Sequence, residues 1–318
     1  MVNPQSQAGP VSRDHRQFRW CRQLEVTVRR AAKGWMLEDL GFEADWTSVA
    51  MVSATAAGSL AVVARRWGVI AGLPAARLVV AEADSQLDWE PLVADGELVE
   101  PGTVVAQLAG PIRSILQVER VLLNLLGRLS GVATATRKLV DAVNGTGCQI
   151  YDTRKTVPGW RLLDKYAVSC GGGSTHRLGL YDAILIKDNH LAAAADGGMT
   201  VAAAVTRARD FIATSFPPER AATMVVELEV DSLQQVEDVF AAGVTNLPDI
   251  MLLDNMSTDL LRQCVCRRNL QAPDVVLEAS GGITLETVGA VAATGVDRIS
   301  TGMPTHAAAW LDIALDWQ

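Results

Sequence analysis

The 318-residue chain is expected to fold as an α/β protein, a (β/α) barrel of parallel strands preceded by a smaller sheet-bearing region. Two observations lead there. From about residue 145, six short runs alternate with helical patterns: GCQIYD (147–152), AILIK (183–187), MVVELEV (224–230), DIMLLD (249–254), VVLEAS (275–280) and DRIST (297–301). Helical spacing fills 159–170, 199–213, 231–242, 257–268 and 284–294. The runs are largely apolar rather than alternating, as strands covered on both faces are. An open doubly wound sheet shares this rhythm, but no Gly-x-Gly-x-x-Gly follows the first run. Second, every run ends in residues fit for chemistry, and parallel strands of a barrel bring those ends to one mouth.

The first 145 residues read differently. Residues 1–17 are polar and turn-rich and are expected to be a disordered tail. Helical spacing over 18–40 stops at Leu40-Gly41. Between 58 and 110, short β-rich runs are punctuated by Asp95-Gly96 and Pro101-Gly102, which predicts a small antiparallel sheet. Residues 114–143 predict one long amphipathic helix or a pair divided near Gly131, with Arg120 off the apolar face. The domains expected are 18–130, joined by 303–318, and a barrel over 131–302.

Composition bounds the function. With 28 Lys+Arg against 36 Asp+Glu the net charge is −8, which argues against general nucleic-acid binding. No apolar run is long enough for a membrane span, and no signal peptide opens the chain. Five scattered cysteines lack zinc spacing and suit reduced thiols in the cytoplasm.

The strand ends carry the chemistry. Residues 151–190 hold six Lys/Arg against four Asp, a local +2 in an acidic chain. Thr153-Arg154-Lys155, His176-Arg177 and Lys187 would form a cationic patch, with arginine suited to planar carboxylates. Glu229 and Asp254 close neighbouring strands, and two such carboxylates fit a hard cation, Mg²⁺, shared with phosphate oxygens. Glu227 is given a structural role. Ser280-Gly281-Gly282 predicts a glycine turn at a helix N-terminus, a phosphate grip paired with Thr301-Gly302-Met303. Gly171-Gly172-Gly173 predicts a flexible or close-packed loop. Together these imply a polyanionic substrate and a divalent metal. Lys187 alone would also suit a Schiff-base lyase.

The block DTRKTVPGWRLLDKYAVSCGGGSTHRLGLYDAILIKDNH resembles the signature of the quinolinate phosphoribosyltransferase family. Further matching stretches are MLEDLG, VERVLLNLLGRLSGVATATRKLVDAV, ELEVDSLQQV, IMLLDN, LEASGGITLETV and GMPTHAAAWLDIALDW. The resemblance implies an incomplete barrel with a small N-terminal α/β domain. It implies conversion of quinolinate and phosphoribosyl pyrophosphate to nicotinate mononucleotide, pyrophosphate and CO2 in NAD biosynthesis. Arg154, His176, Arg177 and Lys187 would hold quinolinate, joined by Arg120 of a second subunit in a homodimer or hexamer with shared sites. Lys155, Glu229 and Asp254 would be catalytic, the two acids serving metal and ribose. Ser280, Gly281, Gly282, Thr301, Gly302 and Met303 would hold the 5-phosphate. Two departures stand out: Gly302-Met303-Pro304-Thr305-His306 replaces the usual Gly-Ala-hydrophobic-Thr-His, and Ala44-Asp45-Trp46-Thr47 the usual Gly-Asp-hydrophobic-Thr.

Overall fold

The structure is a computed structural model that describes residues 13–194, 199–243 and 247–317. In chain order the elements are α1 (Arg22–Leu40), α2 (Trp46–Met51), β1 (Ala57–Ala64), β2 (Gly68–Val69), α3 (Leu73–Ala83), β3 (Asp88–Pro91), β4 (Leu98–Val99), β5 (Val104–Pro111) and α4 (Ile112–Ala142). Then come β6 (Gln149–Tyr151), α5 (Arg161–Cys170), β7 (Ala183–Ile186), α6 (Asp188–Ala194), α7 (Val201–Ser215), α8 (Pro218–Thr223), β8 (Val225–Val230), α9 (Leu233–Ala241) and β9 (Ile250–Asp254). The last are α10 (Thr258–Gln271), β10 (Val276–Ser280), α11 (Val288–Ala292), β11 (Arg298–Ser300), α12 (Met303–His306) and β12 (Ile313–Trp317). The chain divides into two compact units. One takes the residues up to Arg16, Val143–Gln149 and His176–Ser300; the other takes Gln17–Ala142, Ile150–Thr175 and Thr301–Gln318.

The parallel sheet of an incomplete barrel has the order β6-β11-β10-β9-β8-β7, and the first unit holds β7 to β11 with Gln149 of β6. The pairs β7–β8, β8–β9, β9–β10 and β10–β11 are all parallel. Gln149 brings β6 into it by donating its N–H to Asp297 O. Ala183, Val225 and Ile250, each the first residue of its strand, pack with Val276 in an apolar layer at the entering end. Chemistry is left to the exit ends.

In the second unit the antiparallel sheet runs β12-β1-β5-β3, and the chain's last strand pairs with β1 from Leu60↔Trp317 to Ala64↔Ile313. The expected all-β character of 58–110 needs correction at α3, a helix. Its start is fixed from a distance: Asp95 accepts hydrogen bonds from the N–H groups of Gly72 and Leu73 at 2.9 and 3.0 Å, a cap supplied 22 residues downstream. A local reading has no access to that contact.

α4 is one helix, undivided at Gly131. Glycine stands there for clearance, since a Cβ would strike the backbone oxygen of Ala309. One turn earlier, Gly127 O accepts from Leu311 N–H at 2.9 Å, so the C-terminal segment lies directly on the helix backbone. Gly171 and Gly173 are close-packed likewise: a Cβ at either would meet Thr136 of α4 at 2.6 Å.

α5 is buried over seven consecutive residues, Leu163 to Ser169. A helix enclosed on all sides must satisfy its polar residues internally. Asp164 pairs with Arg128 at 2.8 Å, Lys165 with both oxygens of Asp152 at 2.7 and 2.8 Å, and the Tyr166 hydroxyl donates to Asp95 at 2.6 Å. Burial pushes the Asp164 carboxyl up to about 6 despite Arg128.

Of the stretch expected to be a tail, residues 1–12 lie outside the described residues. Asp14 and His15 are described and are anchored, through ion pairs taken up below.

Candidate active site

In the first unit, register determines which side chains share a face. Glu229, Leu252, Glu278 and Arg298 form one row across β8 to β11, and Glu227 lies one side-chain step earlier beside Ile250. Partners in a parallel row point the same way, as do residues two apart along a strand. Glu227, Glu229, Asp254, Glu278, Ser280 and Arg298 therefore face one side. Glu229 and Asp254 are offset by two residues on adjacent strands, so their Cβ atoms are about 8 Å apart.

Lys187, just past β7, forms an ion pair with Glu229. Asp254 accepts from Asn255 Nδ2 at 2.7 Å. Asn255 is the one non-glycine residue at positive φ among those described, at +52°, and its N–H bonds to Ser280 O at 2.9 Å. Gly281 lies against it at φ +92°, where a Cβ would collide with the Asn255 side chain. Asn255 and Gly281 thus lock the ends of β9 and β10, and strain of this kind collects at ligand sites. Gly282, at φ +60°, has nothing within 4 Å of a Cβ position and leaves the turn open.

The expected helix start beside this turn is corrected. α11 begins only at Val288 and is five residues long, because a Thr284–Thr287 turn comes first. An anion at Ser280-Gly281-Gly282 would meet backbone N–H groups without a helix dipole behind them.

Deeper on the same face, His176 and Arg177 are buried, at 5% and 6% exposure. His176 Nε2 reaches Glu227 at 3.2 Å and Glu278 at 3.4 Å, while Nδ1 accepts from Arg177 N–H at 2.8 Å. Burial pulls the His176 pKa down, but the two carboxylates more than offset it and raise it to about 9. The Arg177 N–H opposes full protonation, since it needs the lone pair on Nδ1. The shared proton is therefore on Nε2, facing the acids. Burial would raise Glu227 and Glu278, but the cations and hydrogen bonds around them hold both below the usual carboxylate range.

The second unit holds the other residues expected at the site. Asp152, anchored by Lys165, fixes the start of Thr153-Arg154-Lys155. Thr153 Oγ1 accepts from Lys155 N–H at 3.0 Å, and Lys155 O accepts from Thr305 Oγ1 at 2.7 Å. Arg154 is half-buried, and its Nε is enclosed with no hydrogen-bond partner among the described residues. A buried guanidinium donor left open is what an anionic ligand would satisfy. Gly302 packs on Lys155, whose Cδ lies 2.9 Å from where a Cβ would be. Met303 begins α12, and its N–H donates to Thr301 Oγ1 at 3.2 Å. Arg120 is exposed on α4.

Sequence reading missed Glu278, Arg298, Asp14 and His15. A charged residue inside an apolar run, as in VVLEAS, was the available signal for Glu278.

Lys187, Glu229 and Asp254 at successive exit ends of parallel strands, with a locked glycine turn beside them, are the arrangement of an α/β enzyme. Residues 45–130 match the N-terminal domain of quinolinate phosphoribosyl transferase and residues 132–316 the C-terminal domain. The chain is 42% identical over 292 residues to the nicotinate-nucleotide pyrophosphorylase [carboxylating] of Mycobacterium leprae, covering 91% of this chain and 95% of that one. The human protein of the same name is 36% identical, with 91% of each chain covered. The solved nicotinate-nucleotide pyrophosphorylase of Francisella tularensis superimposes with a TM-score of 0.83 at 33% identity, covering 96% of this chain and all of that one. The chain belongs to the quinolinate phosphoribosyltransferase family. Among the described residues, no helix is long and apolar enough to cross a membrane.

Proposed function

We propose that the protein is a carboxylating nicotinate-nucleotide pyrophosphorylase, joining quinolinate to phosphoribosyl pyrophosphate with loss of pyrophosphate and CO2. The reading rests on one observation. Both family domains are matched from residue 45 to 316, while Arg177, Lys187, Glu229 and Asp254 keep the charges this reaction needs.

In this reading Arg154, His176, Arg177 and Lys187 serve the two carboxylates of quinolinate. Pyrophosphate leaves with the electron pair of the C1–O bond, and the pyridine nitrogen takes its place on a ribosyl centre of oxocarbenium character. Glu229 and Asp254 stabilise that positive charge. The bond from C2 to the 2-carboxylate then breaks with loss of CO2, its electron pair stays on C2 beside the quaternised nitrogen that stabilises it, and a proton adds at C2. No protein nucleophile is needed. The ion pair with Glu229 gives Lys187 a role other than that of a free amine, which weighs against a Schiff-base lyase.

All-oxygen donors suit Mg²⁺, and a Glu229–Asp254 spacing of about 8 Å between Cβ atoms is within reach of one ion through both side chains. Mg²⁺ would neutralise the departing pyrophosphate, with Lys155 beside it. Ser280, Gly281 and Gly282, with Thr301, Gly302 and Met303, would take the 5-phosphate. The five free thiols suit the cytoplasm.

An assay of purified protein tests this. Nicotinate mononucleotide and CO2 should appear with quinolinate and Mg²⁺, and stop when the metal is chelated. Comparable turnover of nicotinate, or none of quinolinate, would refute the reading.

Arg120, exposed on α4 and not at the end of a parallel strand, motivates a homodimer in which it serves the partner's site. Mixing inactive Arg120→Ala protein with inactive Lys155→Ala protein should restore part of the activity. No recovery, with subunit exchange shown independently, excludes shared sites.

A further inference from the structure

Six charged or titratable side chains form a continuous chain inside the first unit. Asp14 Oδ1 accepts from Arg298 Nη1 at 2.5 Å, and Arg298 Nε donates to Glu278 at 2.5 Å. Glu278 and Glu227 share His176 Nε2, and His15 Nε2 lies 3.3 Å from the second oxygen of Glu227. His15 also stacks on His176, ring centroids 4.1 Å apart and 33° from parallel. The His15, Glu227 and Glu278 side chains are 1%, 0% and 0% exposed.

Two of the six come from one short N-terminal segment, fastened on both sides. Arg13 Nε donates to Ala222 O at 3.1 Å, just before β8 begins. Within the second unit, Gln17 Oε1 accepts from Thr175 N–H at 2.8 Å and Phe18 N–H donates to Thr175 Oγ1 at 3.0 Å. Residues 13–18 therefore hold both Thr175 and the His176 that follows it. The same His176 takes the Arg177 N–H on Nδ1, so its ring orientation sets the backbone of Arg177.

We infer that residues 13–18 are a strap whose Asp14 and His15 position His176 and, through it, Arg177 for the anionic end of the substrate. Neither strap residue touches the reacting atoms; both are positioning residues. The proposal rests on the functional reading above only for the identity of the substrate. His15, His176 and Glu227 also group closely enough to invite a metal. Two imidazoles radiating from one ion would hold their centroids about 5 Å apart, and the stacked rings are closer than that.

The test uses full-length His15→Ala, His15→Gln and Asp14→Asn proteins with two readouts. In hydrogen exchange, amide protection at 174–178 should fall in His15→Ala and Asp14→Asn, and β12 should keep its protection. In steady-state kinetics, the quinolinate KM should rise about tenfold in His15→Ala, as for one lost hydrogen bond, with the phosphoribosyl pyrophosphate KM within about twofold. His15→Gln, which keeps a donor near Nε2, should recover much of both. If His15→Ala does not fold, Asp14→Asn carries the test, because its side chain is 40% exposed. Unchanged protection at 174–178 together with an unchanged quinolinate KM overturns the strap. So does an equal rise in both KM values, or a metal retained stoichiometrically by the wild type and lost in His15→Ala. If the wild type does not use quinolinate at all, the functional reading fails while the exchange result still decides the strap.

Discussion

Lys165→Met should destabilise the folded chain by about 3–5 kcal/mol, the cost of leaving a buried charge uncompensated. Lys165 and Asp152 are both fully enclosed, with the ammonium on both carboxylate oxygens at 2.7 and 2.8 Å. Removing the cation strands Asp152, with Asp164 the next residue to Lys165 along α5. The damage extends beyond stability, because Asp152 fixes the start of Thr153-Arg154-Lys155 and its N–H holds Ser174 O at 3.1 Å. Replacing both partners should hurt less than removing one, since no lone charge remains. Asp152→Asn/Lys165→Met is therefore expected to unfold at higher urea than Lys165→Met alone. A single variant within about 1 kcal/mol of wild type would show that water reaches the pair.

The second large effect separates the two ends of the substrate. Arg177→Ala should raise the quinolinate dissociation constant roughly ten- to a hundredfold, the loss of one charged hydrogen bond worth about 1.5–3 kcal/mol. Phosphoribosyl pyrophosphate binding should change much less. Asp254→Asn should do the reverse, lowering kcat more than it weakens quinolinate, because a carboxylate meets the ribosyl cation only in the transition state. Asn can still accept from Asn255 Nδ2, which keeps the local geometry. Titration calorimetry of both variants with both ligands, joined to steady-state kcat, decides the matter. Loss of quinolinate binding in Asp254→Asn, with Arg177→Ala intact, would reverse the assignment.

The strands and their exit-end residues were legible because each rests on a local signal, an apolar run closed by polar residues. Glu229 and Asp254 fall at the ends of β8 and β9 as that pattern required. What was not legible depends on partners distant in sequence. α3 is capped by Asp95, beyond the window in which a helix start is normally read. Asp14 and His15 look solvated beside their polar neighbours, and only Arg298 and Glu227, more than 200 residues away, make them interior. The reason for a glycine at 131 inside the unbroken α4 is the backbone of Ala309, about 180 residues away. A glycine recruited for clearance and a glycine that ends a helix look the same in a sequence.

The pairing of β12 with β1 has a consequence for biosynthesis. A ribosome releases the chain from its amino end, and β1 emerges roughly 250 residues before its partner. Until then one edge of β1 has no neighbour, and the backbone groove at Gly127 and Gly131 lacks the segment that fills it. Neither unit is contiguous in sequence, so neither can close as an independent early product. A nascent chain of this protein therefore carries an open, apolar strand edge for most of its synthesis, the state in which holding chaperones and stalled-chain aggregation compete.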